Sequence, residues 1–136
     1  MQHTTSYANT FIAVAEDSYA EHGTEPPLRE QKSAARLQYE WLSERPYTLT
    51  SDDLLFTLYA LKNSIPREQQ PLEREAFFSR GQPCMRASDL PKKYGWGIHY
   101  DSDARMAIYG VETEKYATFQ TDPSLTHLRA MRSERK

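Results

Sequence analysis

Residues Tyr94 to Val111 constrain the fold more than any other part of the chain, because there the hydrophobic period changes from helical to alternating. Trp96, Ile98 and Tyr100 alternate with Gly97 and His99, and a second alternating run covers Arg105 to Val111. Asp101-Ser102-Asp103 between them is turn chemistry, which predicts a β-hairpin. A three-residue loop pairs Tyr100 with Ala104 and Ile98 with Met106, and sets Trp96, Ile98, Met106 and Ile108 on one face. A two-residue loop would split these apolar side chains between faces. Burial favours the first register, because a slip of one residue turns every side chain over. His99, Arg105 and Tyr109 then share the opposite face.

Helical periods dominate upstream. Ala34, Leu37 and Trp41 predict a helix from about Glu30 to Glu44, ended by Pro46. Thr50-Ser51-Asp52-Asp53 reads as a capped helix start with acids in the first turn. Leu54, Leu58, Leu61 and Ile65 line one face of that second helix, with Leu55 and Tyr59 beside them. Both stripes read as core rather than as the lining of a ligand site. A third helix is expected from Gln70, with Pro71 at its start, through Leu72, Ala76 and Phe77 to about residue 80 before Gly81. Ser88-Asp89-Leu90-Pro91 caps a short helical turn leading to Tyr94. Phe11, Ile12 and Val14 suggest an edge or outer strand, followed by a loop over residues 16–28. A last helix spans Thr113 to Gln120 with Tyr116 and Phe119 inward, and another short element lies around Leu125 to Met131. The expectation is one α+β domain over residues 1–136, with several helices packed on a small antiparallel sheet that includes the hairpin.

Composition limits the function classes. With 38% hydrophobic and 12% aromatic residues in 136, the chain has apolar material for one modest core. A net charge of −2 and scattered, locally matched arginines and lysines do not favour nucleic-acid binding, and the basic tail Arg129, Arg132, Arg135 and Lys136 reads as a solvated end. No run approaches the length of a membrane span, and residues 1–10 do not resemble a signal peptide. A single cysteine cannot close an internal disulfide, so the expected location is reducing and cytoplasmic.

Gln82-Pro83-Cys84-Met85-Arg86-Ala87-Ser88, followed by Lys93-Tyr94-Gly95-Trp96-Gly97-Ile98-His99, resembles the signature stretch of an uncharacterised bacterial domain-of-unknown-function family. His3-Thr4-Thr5, Asn9-Thr10-Phe11-Ile12, Ala15-Glu16-Asp17, Pro46-Tyr47 and Thr50-Ser51-Asp52-Asp53 extend the resemblance through nearly the whole chain. It implies no activity. At the level of fold, helices followed by a Gly-Trp-Gly hairpin are similar to the small α+β domains of the YjbR and YdhG kinds, and fold alone does not carry function.

Two residues are candidates for chemistry. Cys84 has Arg80 and Arg86 nearby in sequence, where positive charge can assist a nucleophilic thiol, yet no nucleophile motif surrounds it and a buried structural cysteine is the simpler reading. His99 shares its face with Arg105 and Tyr109, and Gly95 and Gly97 leave room there for either a ligand or another part of the chain. Arg86 and Lys93 could reach the rim of that patch, which would suit a small anionic ligand. His3, His22, His99 and His127 lack the spacing of a metal site, Asp101-Ser102-Asp103 is too short for a calcium loop, and no motif implies a cofactor. The leading expectation is a non-enzymatic binding or interaction module, for a small anionic ligand or a protein partner, with a modest pocket near the hairpin. The alternative is a small enzyme using Cys84 or His99, and a hydrogen bond between those two in a cleft would favour it.

Overall fold

The computed structural model describes residues 3–133. Along the chain lie strand β1 (Thr10–Ala13), helices α1 (Ala34–Glu44), α2 (Ser51–Lys62), α3 (Gln70–Phe78) and α4 (Asp89–Lys93), strands β2 (Trp96–Tyr100) and β3 (Met106–Gly110), helix α5 (Glu114–Gln120) and strand β4 (Thr126–Arg129). The architecture is α+β. The sheet order is β3-β2-β1-β4.

Two expectations about the sheet are corrected. It is mixed rather than wholly antiparallel, because β4 runs parallel to β1, with Ile12 opposite Leu128. β1 is a central strand, not an edge, and all four of its residues are buried. A four-residue run is too short for its hydrophobic pattern to tell a central strand from an outer one.

The hairpin keeps its predicted faces in a shifted register. Tyr100 pairs with Met106 and Ile98 with Ile108. The loop still holds three residues, Ser102–Ala104, but it begins one residue later, closed by the Asp101 N–H donating to the Arg105 carbonyl at 3.0 Å. The Asp101 carboxylate accepts from the backbone N–H groups of Asp103 (2.9 Å) and Arg105 (3.0 Å). Ala104 takes the left-handed conformation (φ 64°) that ends such a loop. The pairing moves by an even step, so no side chain changes face.

All of the helices except α3 start where a side chain satisfies a free N–H group. Ser33 caps α1, Thr50 and Asp53 form a capping box on α2, Ser88 caps α4 and Thr113 caps α5. On one side of the sheet Ile12, Ile98, Tyr100 and Met106 pack with Leu42, Leu54, Met85 and Leu90. On the other, α5 lays Tyr116 against Phe11. A satellite cluster of Phe56, Ala60 and Phe78 joins α2 to α3.

The buried stripes of the first two helices differ from those expected. In α1 the buried residues are Ala35, Gln38 and Leu42, one position on from Ala34, Leu37 and Trp41. In α2 they are Ser51, Leu54, Phe56 and Ala60, while Leu61 is 58% exposed. Part of the apolar surface assigned to the core therefore faces outward.

Candidate functional site

The hairpin face bearing His99 and Tyr109 is covered. Segment 47–50 runs along the outer edge of β3: the Tyr47 N–H donates to the Met106 carbonyl at 2.8 Å, and the Met106 N–H donates to the Leu49 carbonyl at 2.9 Å. Tyr47 sits in the left-handed region (φ 58°), and its hydroxyl lies 2.8 Å from both His99 Nδ1 and the Tyr109 hydroxyl. From α5, Phe119 stacks on the imidazole, with ring centroids 4.1 Å apart and planes 12° apart. Burial draws the His99 pKa below its usual value, against the opposing pull of Asp101 and Asp122, which favours the neutral ring. Burial also pushes the Tyr47 hydroxyl up, helped by its bond to Tyr109.

The Gly-Trp-Gly glycines make room for protein, not for a ligand. A Cβ on Gly97 would lie 2.6 Å from both Phe11 Cζ and Tyr116 Cε2. Gly95 adopts φ 79°, and a Cβ there would come within 2.5 Å of the His22 carbonyl oxygen. Trp96 is anchored by its indole N–H donating to the Thr24 carbonyl at 2.8 Å.

Of the five residues assigned to that patch, the structure joins two. His99 and Tyr109 meet through Tyr47, which pattern reading missed; its placement depends on a left-handed residue beside the edge of β3, and nothing in the period of the sequence marks that. Arg105 begins the same face but is exposed, without a side-chain partner among the described residues. Arg86 lies elsewhere: its Nε donates to the Arg129 carbonyl at 2.6 Å and its own carbonyl accepts from the Met131 N–H, tying the turn before α4 to the end of β4. Lys93 sits at the exposed end of α4, 3.8 Å from Asp89.

Cys84 is half-buried on the opposite side of the sheet, just before the core residue Met85. Tyr7 donates its hydroxyl to Cys84 Sγ at 3.3 Å. That bond, then burial, push the Tyr7 hydroxyl up to about 12. Among the described residues no hydrogen bond joins Cys84 to His99, whose Nδ1 is held by Tyr47. No group of three His, Cys, Asp or Glu among them is arranged to hold a metal ion, and no helix there is long and apolar enough to cross a membrane.

Cys84 also lines an open groove. This cavity, about 220 Å³, is walled by Ala34, Leu55, Leu58, Phe77 and Met85, with Gln38 and Ser88. Gln38 and Ser88 are buried and bonded to each other at 2.6 Å. A second groove of about 660 Å³ is lined by Leu37, Leu58 and Leu61 together with Lys32 and Lys62. Ala34 and Leu58 border both, so the two cavities adjoin beside α1 and α2. Lys32 pairs with Glu40 at 2.8 Å, whereas Lys62 has no partner among the described residues.

No curated protein and no solved structure shows significant similarity to the chain. The likeness to YjbR and YdhG domains gains no support from either comparison. The model of a family of unknown function, DUF6157, matches residues 2–136, and it is to this family that the chain belongs.

Proposed function

We propose that the protein is a non-enzymatic binding module whose ligand lies in the groove between α1 and α2. One observation carries the reading: Ala34, Leu37, Leu58 and Leu61, apolar stripe residues of two adjacent helices, do not close on each other and instead line an open groove. Small-molecule sites are concave and largely apolar, with a few placed polar groups. Here the groove offers the ammonium of Lys62, and the adjoining cavity offers Cys84 and the bonded Gln38–Ser88 pair. An organic acid with an apolar body fits this distribution. Its carboxylate would meet Lys62 while its body displaces water from the leucines.

Thermal shift with decanoate, decylamine and decanol tests the reading. Decanoate is expected to raise the melting temperature most, because a ligand of the native state alone stabilises it. Ala34 is exposed and lines the groove, so Ala34→Trp should block it without disturbing the core. Loss of the decanoate shift in Ala34→Trp supports the groove. An equal shift in that variant, or no shift in the unaltered protein, overturns it.

A further inference from the structure

The carbonyl end of α1 borders a further cavity, which shares no lining residue with the groove or with the cavity at Cys84. It measures about 360 Å³, a size typical of small-molecule sites, and is lined by Trp41, Glu44, Arg45, Thr48, Leu49 and Thr57. Its apolar walls are held from behind. Trp41 and Leu49 pack against the main core, and segment 47–49 is fixed along β3 by the bonds of Tyr47 and Leu49 to Met106. The fold leaves much of the polar lining unused. Thr57 donates its hydroxyl to the Asp53 carbonyl at 2.7 Å and keeps its acceptor lone pairs, while Thr48 reaches only the Pro46 carbonyl, at 3.4 Å. Glu44 and Arg45 are exposed neighbours in sequence, yet among the described residues their side chains pair neither with each other nor with any other group. The last turn of α1 holds Glu44 and no base, although the carbonyl end of a helix disfavours an acid. Pro46 adds to this, because a residue with an N–H at that position could donate to the Leu42 carbonyl. Uncompensated negative charge beside an indole favours an organic cation. Arg45, the C-cap, sets a positive group on the same cavity.

We propose that this cavity binds a zwitterionic α-amino acid with an apolar side chain. The ligand's ammonium meets the Glu44 carboxylate and the carbonyl end of α1, with the Trp41 indole beside it. Its carboxylate meets the Arg45 guanidinium, which can fork to both oxygens. The Thr48 and Thr57 hydroxyls supply further hydrogen bonds at the rim, and the apolar side chain covers Trp41 and Leu49. A ligand of a single charge gains from one of the two charged residues and is opposed by the other, so the pair selects a molecule that carries both signs. The site requires no ligand in the groove between α1 and α2.

The test is calorimetric titration of the full chain with L-phenylalanine, phenethylamine, which lacks the carboxylate, and 3-phenylpropionate, which lacks the ammonium. Phenylalanine is expected to bind about tenfold tighter than either analogue, the loss of one charge-assisted hydrogen bond. Glu44→Gln and Arg45→Gln should each weaken phenylalanine by a similar factor. Both residues are exposed and unpaired, so folding is not at stake, and a thermal melt checks this. Ala34→Trp, which fills the groove and not this cavity, should leave phenylalanine affinity unchanged. No binding of phenylalanine at millimolar concentration overturns the proposal, as does an analogue that binds as tightly. Equal affinity in Glu44→Gln, Arg45→Gln and the unaltered protein also overturns it, and so does loss of binding in Ala34→Trp, which would place the ligand in the groove.

Discussion

The hydroxyl of Tyr47 lies 2.8 Å from His99 Nδ1, although the two residues are 52 positions apart. It lies equally close to the Tyr109 hydroxyl, so one side chain from the α1–α2 connection satisfies two groups on neighbouring strands. A tyrosine hydroxyl has one proton to give. The chain of bonds therefore runs either from Tyr109 through Tyr47 to the imidazole or in the reverse direction, according to the tautomer of His99.

Tyr47→Phe keeps the ring and removes the bridge, leaving His99 Nδ1 and the Tyr109 hydroxyl half-buried and unpaired. The expected loss is about 1–3 kcal/mol of stability. Urea denaturation of the variant beside the unaltered protein measures it, and a loss within error would show that water replaces the hydroxyl.

The lowered pKa of His99 makes stability depend on pH. The unfolded chain titrates this group near 6.5 and the folded chain titrates it lower, so between those values the unfolded state binds more protons. Stability is complete above the unfolded value and declines as the pH falls below it towards the folded one. His99→Gln should flatten this part of the profile, as read from denaturation midpoints at pH 7.5 and 5.5.

Arg105→Ala and His99→Ala should part company. Arg105 is exposed and without a side-chain partner, so its replacement is expected to change stability by less than about 0.5 kcal/mol. His99→Ala removes a ring stacked on Phe119 and bonded to Tyr47, and is expected to cost about 2 kcal/mol or more. Equal losses would mean that Arg105 takes part in the cluster.

Among the glycines, Gly97→Ala would press a methyl group into Phe11 and Tyr116 between β1 and α5, at an expected cost of about 1–3 kcal/mol. Gly95→Ala adds backbone strain to a clash with the His22 carbonyl and should be worse. Gly81 has open space around its Cα, so Gly81→Ala serves as the neutral control. Melting temperatures of the three rank them directly.

What the chain determined by itself is local. The caps at Thr50 and Ser88 and the change of period at Trp96 could be read directly, because each arises from bonds or side-chain directions within a few residues. The faces of the hairpin were legible as well, since an even shift in register leaves them unchanged. Tertiary structure decided the rest. The rotation of α1 and α2 that buries Gln38 and Leu42 while leaving Ala34, Leu37 and Leu61 in the groove depends on what each helix packs against. The arrival of Tyr47 over His99, and the space above Gly97 filled by Phe11 and Tyr116, depend on segments far away in sequence. Hydrophobic period states how much apolar surface a helix carries, but burial is a property of the neighbour that covers it, and a single sequence does not name that neighbour.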